Sequence, residues 1–585
     1  MTLKADPFHH PTSEEELVAL VRRALREGRE LRVRGAAHSV SHAIYADGVT
    51  SLPNQVNEQT PPPGPNINVK LDRYASWHVR DADRRIVVAE AGIHLGEDPS
   101  DPLATLERSL LHQLWHRRGW TLSELGGITH QTVSGFTATA SAGGSVRYSL
   151  EDSLMGFRVI DGHGRVREIC RGDPAFDAMV PNLGLLGVIS AVILRCDLAF
   201  DIEGTERISS IEDCAVDLFG TDAACGRLSL AQFLRDADFA RLEWWPQPGA
   251  ERIVVWQAGR VPHDPSHERE PYRRFGPLPT ADQIMISLCY TVLGNPHDLP
   301  QLRLKLRRVY KAIRLRTNVV WALAAVAFTA VLIRLVGVGT PAFESRIPTI
   351  FPRLLRRFVP FDDDRRGREK GQPQGFYDQS WRGLPMDNAL SDVFVPVEFT
   401  EAWFPLERAE CVMRVMREYF RAGGDRQLAY RRTGLFGFEL YAAKASRSWL
   451  SPAFTTGSDT WAGGAFRFNA YWFAGNEGLP EGGVLGGVWN HLYESGIDFR
   501  LHWGKFQPAY LPGDPQWVTF FAGQYDQWDA FLALRRRQDP QNVFLTSYWR
   551  DRFGLWGEHR PAAAAESRAA HHATRGACAA RCRGR

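Results

Sequence analysis

Residues 32–39 place a tight turn of small residues between a short predicted strand and a histidine; they read Arg-Val-Arg-Gly-Ala-Ala-His-Ser. Glycine and alanine at 35–37 allow a backbone to approach a bulky ligand closely, and the N–H groups that such a turn exposes suit an anion or a pyrophosphate. His38 follows at once, where its imidazole could contact that ligand. An ordinary strand-to-loop turn with a surface histidine explains this stretch equally well when it is taken alone.

Residues 126–145 supply a second half of the pattern, because almost all of them are small or hydroxylated. They read Gly-Gly-Ile-Thr-His-Gln-Thr-Val-Ser-Gly-Phe-Thr-Ala-Thr-Ala-Ser-Ala-Gly-Gly-Ser. A packed strand or helix would carry more apolar side chains, whereas a loop around a phosphate-bearing ligand offers N–H groups and hydroxyls without bulk. A flexible linker is the alternative, and Ile128, Val133 and Phe136 are poorly suited to one.

Residues 7–199 read as an alternation of helix and strand. Thr12 or Ser13 can cap a first helix, and 155–169 predicts a β-hairpin around Asp-Gly and His-Gly pairs. At 184–195 a glycine turn leads into a β-branched strand. Together these pieces resemble the FAD-binding domain of the vanillyl-alcohol oxidase superfamily.

The resemblance implies FAD as the cofactor and assigns residues to it. His38 stands where many members join a histidine covalently to the flavin 8α-methyl, and no cysteine for a second link precedes Cys170. Residues 126–145 correspond to the pyrophosphate loop, and 187–189 to the turn beside the adenosine half. The cofactor-binding residues implied in this way are Arg34, Gly35, Ala36, Ala37, His38, Ser39, Gly127, Thr129, Thr132, Gly135, Thr139, Ser141, Gly143, Gly187, Val188 and Ile189.

Residues 500–506, Arg-Leu-His-Trp-Gly-Lys-Phe, form a third motif. A Trp-Gly turn with His502 and Lys505 places a cation beside an aromatic surface, which suits the wall of a flavin site. Such a lysine could stabilise the negative charge that arises at the flavin N1/C2=O edge when a hydride arrives at N5. A solvated lysine beside a core tryptophan is the alternative for this motif taken alone.

His-Trp-Gly-Lys followed by Asp-Pro-x-x-x-Phe at 539–544 is similar to the C-terminal signature of the sugar-lactone and alditol oxidases. That group contains L-gulonolactone oxidase, D-arabinono-1,4-lactone oxidase and bacterial alditol oxidase. The resemblance places Lys505 at the flavin and Glu439, on a predicted strand, at the substrate hydroxyls. Tyr441 stands where an arginine is expected and Asn469 replaces a histidine, which leaves the substrate open. The catalytic residues implied are Lys505, Glu439, His502, Asn469 and Tyr441.

The expected fold class is α+β. A two-subdomain PCMH-type FAD-binding domain is expected over 1–199, and an α+β cap (substrate) domain with an antiparallel sheet over 200–495. A basic-apolar insertion interrupts the cap at about 300–375. Residues 496–555 are expected to return to the flavin site, and the Ala/Arg-rich tail 556–585 is expected to be disordered.

The insertion carries a basic helix-like segment, 302–316, followed by the uncharged run 319–333 and Arg334. The run sits at the lower limit of the roughly 17–25 residues that a membrane span needs. A single crossing would place His38 and the C-terminal segment on opposite sides of a bilayer, although they should build one site. An element in the membrane interface over 302–338 fits better, with its arginines toward anionic headgroups. A buried cap helix with a basic flank is an equal alternative.

Composition argues against several classes of function. The net charge of +3 gives no whole-protein electrostatic footprint for nucleic acid. The eight cysteines form no CxxC pair, so neither a zinc site nor a disulfide framework is indicated, and no metal is expected. The N-terminal segment lacks the apolar core of a secretory signal. A cytoplasmic location is therefore expected, with peripheral membrane contact left open.

These residues together predict an FAD-dependent oxidoreductase that removes hydride from a hydroxyl-bearing carbon of a sugar lactone or polyol. Hydride would pass to flavin N5 and electrons then to O2 or another acceptor. Residues 141–143, Ser-Ala-Gly in place of the family's usual Thr-His-Gly, leave both oxidase and dehydrogenase open. Two alternatives remain: a membrane-surface flavin oxidoreductase acting on a lipid-linked sugar, isoprenoid or sterol, and a catalytically inactive flavin-fold binding protein.

Overall fold

The first third of the chain builds two small sheets with short helices between their strands. The structure is a computed structural model of the 585-residue chain, and it describes residues 6–47, 64–220, 226–272, 280–362, 373–388 and 394–558. The elements before residue 200 are β1 (Phe8–His9), α1 (Glu14–Glu27), β2 (Leu31–Arg34), α2 (Ser41–Ile44), β3 (Ile67–Lys70), β4 (Trp77–Asp81), β5 (Ile86–Glu90), α3 (Leu110–Arg118), β6 (Trp120–Thr121), α4 (Val133–Ala138), α5 (Leu150–Ser153), β7 (Leu154–Ile160), β8 (Val166–Cys170), β9 (Val188–Arg195) and β10 (Asp197–Leu198).

Local sequence explains where these elements begin. The Ser13 side chain accepts a hydrogen bond from the backbone N–H of Glu16 and so caps α1, which makes Ser13 the cap of the two candidates. The predicted hairpin is β7 paired with β8. The predicted β-branched strand is β9, which is buried along its length except at Arg195.

The two sheets differ in the direction of their strands. Strands β1, β3 and β2 form a parallel three-stranded sheet. Strands β4, β5, β9, β7 and β8 form an antiparallel five-stranded sheet with β9 at its centre. Residues of β2 and of the start of β9 line one cavity, so this cavity lies where the two subdomains meet.

The stretch 126–145 contains a helix, α4, where the composition predicts a loop throughout. The Thr132 side chain accepts from the backbone N–H of Gly135 at 3.1 Å and caps that helix. Val133 and Phe136, two of the three residues that are poorly suited to a linker, are buried and hold the helix against the core. Small residues are thus compatible with a helix here because a cap and two apolar anchors fix it.

The rest of the chain contributes a large sheet, a helical layer and a C-terminal group of helices. Its elements are β11 (Phe200–Ser210), β12 (Val216–Asp217), β13 (Leu228–Ser229), α6 (Leu230–Asp236), β14 (Phe239–Trp245), β15 (Arg252–Pro262), α7 (Thr280–Leu293), α8 (Leu299–Arg316), α9 (Val319–Val336), α10 (Pro341–Glu344), α11 (Ile347–Phe358), β16 (Gln374–Gln379), α12 (Ser380–Gly383), β17 (Val397–Pro405), α13 (Ala409–Arg421), α14 (Arg426–Thr433), β18 (Phe438–Ala443), β19 (Ala465–Phe473), α15 (Val484–Glu494), β20 (Arg500–Leu501), α16 (Gln516–Ala522), α17 (Trp528–Gln538) and α18 (Ser547–Arg552). The sheet is antiparallel with strand order β16-β11-β15-β14-β18-β19-β17-β20.

The predicted insertion forms the helices α8 to α11. Together with α7, which precedes it, they share an apolar core with residues of the large sheet such as Trp245 and Val254. Helix α9 covers the uncharged run and is long and apolar enough to cross a membrane. Only 11% of it is buried, at Ala325 and Thr329. The buried cap helix considered from the sequence is therefore not what this segment forms.

The C-terminal segment returns to the first domain. The backbone N–H of Leu31 donates to the Val543 carbonyl at 2.8 Å. The buried guanidinium of Arg32 donates to the carbonyls of Leu183 at 2.9 Å and Phe544 at 3.4 Å. Burial lowers the pKa of Arg32 to about 10, which leaves it charged at neutral pH. Of the tail predicted to be disordered, positions 559–585 lie outside the described residues.

Gly187, at the turn before β9, provides a test of this packing. Its φ is +127°, and a Cβ there would lie 2.6 Å from the Ile160 carbonyl oxygen. We expect Gly187→Ala to lower the free energy of unfolding by about 1–3 kcal/mol, measured by chemical denaturation. Gly172→Ala is the matched control, because Gly172 has a φ of +103° with no described atom within 4 Å of the added Cβ. Equal losses in the two variants would contradict the close approach.

Candidate active site

Two adjoining cavities lie between the domains. The first, called here the turn cavity, has an empty volume of about 1070 Å³ and is lined by residues of 31–39, 131–141, 182–189 and 502–505. The second, called the sheet cavity, has an empty volume of about 1590 Å³ and is lined largely by one face of the eight-stranded sheet. Residues that line both cavities are His38, Gln131, Ser141, His502 and Lys505. The cavities therefore share a boundary, the junction, made by these side chains.

Most of the predicted cofactor residues line the turn cavity. They are Arg34, Gly35, Ala36, Ala37, His38, Ser39, Thr132, Gly135, Thr139, Ser141, Gly187, Val188 and Ile189. Gly35 matters because a Cβ at this position would lie 2.4 Å from the Thr132 side-chain oxygen. Only glycine at position 35 therefore allows the turn after β2 to lie directly against the residues that begin α4.

Three predicted cofactor residues lie elsewhere. Gly127 lines the sheet cavity, and Thr129 and Gly143 are outside the described lining of both. The backbone N–H of Thr129 donates to the Asn388 side chain at 3.0 Å, which ties this residue to the cap. The Gly143 carbonyl accepts from the Arg467 guanidinium, so this residue also serves the contact with the sheet.

The polar atoms of the turn cavity fit a dinucleotide such as FAD. The side-chain amide nitrogen of Asn182 and Nε of Arg32 are buried donors without an acceptor among the described residues, and Oε1 of Gln131 is a buried oxygen without a donor. Unsatisfied groups of this kind are costly unless a ligand pairs with them. A ligand with phosphate and hydroxyl groups supplies the partners that these atoms need.

The junction holds a histidine and a lysine side by side. Nζ of Lys505 donates to the His38 carbonyl at 3.2 Å and lies 4.0 Å from the centre of the Phe399 ring. Burial holds the pKa of His38 well below its ordinary range, and the positive charges of His130 and Lys505 add to this effect. The His38 imidazole is therefore neutral at pH 7 and keeps a nitrogen lone pair.

His502 is neutral as well. Burial lowers its pKa to about 4. Its Nδ1 accepts from the backbone N–H of Gly504 at 3.1 Å, so the ring proton is assigned to Nε2. In this tautomer His502 presents a hydrogen-bond donor to its surroundings rather than a free base.

Facing residues form rows across strands β14, β18, β19 and β17, which lie side by side in register. The first row is Glu243, Glu439, Asn469 and Glu401. The second row, two positions along each strand, is Arg241, Tyr441, Arg467 and Trp403. Side chains two positions apart point to the same face of a sheet. The register thus brings the predicted residues Glu439, Tyr441 and Asn469 to one wall of the cavity that also contains His502 and Lys505.

Glu439 is the centre of the hydrogen bonding in these rows. Its Oε2 accepts from the hydroxyl of Tyr441 at 3.0 Å and from the hydroxyl of Tyr471. Burial, together with the charge of Glu439, raises the pKa of both tyrosines far above the ordinary range. Both phenols therefore stay protonated and donate to the carboxylate. Oδ1 of Asn469, the neighbour of Glu439 in the row, is buried without a donor among the described residues.

Arg241 is the functional residue that sequence reasoning missed. It is buried on β14 directly opposite Tyr441, and its guanidinium lies 3.0 Å from Glu243, 2.6 Å from Asp387 and 3.6 Å from Glu439. The cation that the resemblance places at 441 thus comes from the neighbouring strand. The three carboxylates could otherwise hold a metal ion. The spacing of Arg241 and Glu243, two positions apart on a predicted strand, was the sequence signal that could have indicated two charged side chains on one face of the sheet.

A second ion pair fixes the sheet to the small-residue loop. Nε of Arg467 donates to Glu401 at 2.7 Å, and its Nη1 donates to the Ala142 carbonyl at 2.9 Å. Burial acts to raise the pKa of Glu401, but the charge of Arg467 and its hydrogen bond favour the ionised form, and the pKa is lowered. Glu401 is therefore ionised at neutral pH and keeps Arg467 against the loop.

Comparison with known proteins agrees with this architecture. No model of a known protein family matches the chain. A D-arabinono-1,4-lactone oxidase from Eremothecium gossypii is 27% identical over 253 residues, which cover 43% of this chain and 40% of that protein. An L-gulono-1,4-lactone dehydrogenase from Mycobacterium tuberculosis is 30% identical over 204 residues, which cover 34% of this chain and 40% of that protein. The chain thus spans about two fifths of the length of these relatives.

The fold is that of a cholesterol oxidase from Brevibacterium sterolicum. The two structures superpose with a TM-score of 0.59 over 93% of each chain, at 13% sequence identity. The helices and antiparallel sheets match the expected α+β class. The relatives and the fold are consistent with the vanillyl-alcohol oxidase superfamily, as the sequence motifs indicate.

Arg241 provides the test of the buried charges. We expect Arg241→Met to lower the free energy of unfolding by about 3–5 kcal/mol at neutral pH, because it leaves buried carboxylates unpaired. The deficit should shrink as pH falls, since the unpaired carboxylates take up protons more readily in the folded variant than in its unfolded chain. Urea denaturation across a pH series measures both effects.

The matched control is Arg147→Met. Arg147 pairs with Asp238 at 2.8 Å but is half exposed, so its loss should cost at most about 1 kcal/mol. A deficit for Arg241→Met that equals this control, or that does not change with pH, would contradict the ion-pair interpretation.

Proposed function

We propose that this protein is an FAD-dependent oxidoreductase that oxidises a hydroxyl-bearing carbon. The observation that carries the proposal is the junction, where the turn cavity and the sheet cavity share His38, Gln131, Ser141, His502 and Lys505. A dinucleotide in the first cavity and a hydroxylated molecule in the second would meet there. When bound, FAD supplies the ring system that accepts hydride.

Lys505 holds a positive charge at the junction. Its contacts with the His38 carbonyl and the Phe399 ring orient the ammonium group in a half-buried site. A fixed charge in a site with little water stabilises the negative charge that develops during hydride transfer, without the cost of reorganising solvent. His502, as a neutral donor, adds a dipole to the same boundary.

Glu439 takes the proton in this proposal. Loss of the hydroxyl proton to its carboxylate and of hydride from the carbon turns C–OH into C=O, so atoms and charge balance. Arg241 lies 3.6 Å from its Oε1, and the hydroxyls of Tyr441 and Tyr471 position its Oε2. The unpaired Oδ1 of Asn469 can accept a further substrate hydroxyl.

The proposed substrate carries the hydroxyls of a sugar lactone or polyol. The printed names of the two relatives support this, and the row of acceptors at Glu439 and Asn469 suits several hydroxyls at once. One relative is named as an oxidase and the other as a dehydrogenase. O2 or another acceptor is accordingly proposed to take the electrons.

We also propose that the protein is cytoplasmic and makes a peripheral membrane contact through residues 302–338. The exposure of α9 supports that contact, because a helix whose large apolar side chains face outward is stabilised by lipid.

The cofactor and its link are tested by acid precipitation. We propose a covalent bond between His38 and the flavin 8α-methyl, so the yellow colour should stay with the acid pellet. It should move to the supernatant for His38→Ala, because the neutral imidazole that forms the bond is gone. His163→Ala, in the turn of the β7–β8 hairpin, should behave as the unchanged protein. Flavin in the supernatant of the unchanged protein would overturn the link alone, and absence of flavin would overturn the function.

Lys505 is tested by flavin reduction without oxygen. With a polyol or aldonolactone that bleaches the flavin, Lys505→Ala should lower the rate of bleaching about 10²–10³-fold while FAD stays bound. Lys444→Ala, which breaks a partly exposed pair with Asp152, should leave that rate unchanged. Unchanged reduction in Lys505→Ala would remove this residue from the mechanism. Bound flavin that no alcohol reduces would favour the inactive binding protein.

A further inference from the structure

The sheet cavity continues past its polar rows into an apolar end that a sugar lactone has no surface to fill. This end is lined by Ile286, Tyr290, Leu355, Phe358, Val359 and Phe436. Polar partners at one end and apolar walls at the other match a molecule with two unlike ends.

The apolar end is built by α7, which precedes the insertion, and by α11, which belongs to it. Ile286 and Tyr290 lie on α7, and Leu355 and Phe358 lie on α11. These residues belong to one apolar core that also contains residues of α8 and contacts α9. The wall of the cavity and the exposed helix α9 are thus two sides of the same helical layer.

Helix α9 has an outer face that is apolar. One side of the helix packs Phe328, Leu332 and Ile333 on the core of the helical layer, and other large apolar side chains point outward. The most exposed of these are Val319, Val320, Leu323, Val331 and Leu335, with exposed fractions of 55–74%. The outer face of a water-facing helix carries polar and charged side chains instead, so a contiguous apolar outer face marks a surface that contacts lipid or another apolar partner.

The charges beside α9 identify the lipid surface. No acidic residue occurs from 299 to 316, and the exposed basic residues of α8 are Arg303, Arg307, Arg308, Lys311 and Arg314. Such a cluster next to an apolar helix attracts anionic headgroups. Leu306 of α8 and Phe343 of α10 are both buried in the same core, so the chain enters and leaves α9 on one side. The helix therefore lies in the interface rather than across the bilayer.

We propose that the substrate is an amphipathic alcohol, a hydroxylated head joined to an apolar chain, which the enzyme takes from an anionic lipid surface on which α9 lies. The head hydroxyl lies at the row of Glu439 and Asn469, and the chain lies between α7 and α11. The chemistry is that of the proposed function, on which this inference rests. The helical layer α7–α11 thus determines which alcohols are oxidised and where they are found.

The first experiment varies the length of the chain. Glycerol and monoalkyl glyceryl ethers from methyl to dodecyl, dispersed with cyclodextrin, are given to the purified full chain with its flavin. The kcat/KM for flavin reduction should rise about fourfold per added methylene, which corresponds to about 0.8 kcal/mol per buried CH2. Ile286→Trp, which fills the apolar end, should lower the value for the dodecyl ether at least tenfold and leave the methyl ether within twofold. Ile286→Val should fold and leave both near the unchanged protein.

The second experiment tests the source of the substrate. The protein should float with vesicles that contain phosphatidylglycerol and not with vesicles of phosphatidylcholine alone. The double variant Leu323→Glu, Leu335→Glu should not float. With the dodecyl ether supplied from cyclodextrin it should reduce its flavin as fast as the unchanged protein, and with the ether supplied in vesicles it should do so at least tenfold more slowly than the unchanged protein. Leu198→Glu is the matched control, because Leu198 is 62% exposed and Leu323 64%, and Leu198 lies on β10.

The outcomes separate this inference from the proposed function. Equal kcat/KM values along the ether series, or a chain-length effect that Ile286→Trp does not change, would overturn the substrate class and leave the oxidoreductase intact. Flotation of the double variant would overturn the role of α9. A flavin that no ether, polyol or lactone reduces would overturn the proposed function itself.

Discussion

Both cavities depend on the contact between the turn after β2 and the turn after β20. The backbone N–H of Val40 donates to the Gly504 carbonyl at 3.0 Å, and Lys505 donates to the His38 carbonyl at 3.2 Å. These residues are more than 460 positions apart in sequence. Closing so long a loop costs chain entropy, which the packing of the C-terminal segment on the first domain must offset. Without this contact the turn cavity and the sheet cavity would not share the junction.

The sheet contributes a set of charges whose burial is costly. A single guanidinium, Arg241, faces Glu243, Asp387 and Glu439 in the interior, and Arg467 faces Glu401 two strands away. Buried ion pairs add little net stability compared with apolar packing, while an unpaired member is strongly destabilising. Their contribution here is geometric, because they hold the hydrogen-bond acceptors of the row in fixed positions on the wall of the sheet cavity.

Much of the architecture was predictable because its signals are local. Turn chemistry at 35–39, alternation around Glu439 and the β-hairpin at 155–169 were each confirmed as local structure. The prediction of a loop throughout 126–145 was wrong at α4. A cap and two buried apolar side chains, Val133 and Phe136, stabilise that helix. Such a helix depends on what its apolar side chains pack against, which composition does not show.

The sequence by itself determined the order of the elements, the turn that carries His38 and the motif that carries Lys505, because periodicity and turn residues act over a few positions. Only the tertiary structure decided that Arg241 faces Tyr441, two hundred positions later, since strand register is set by non-local pairing. It also decided that α9 faces outward and that the cavity has an apolar end. An apolar run reads the same in a core and on a lipid-facing surface, and only its neighbours distinguish the two.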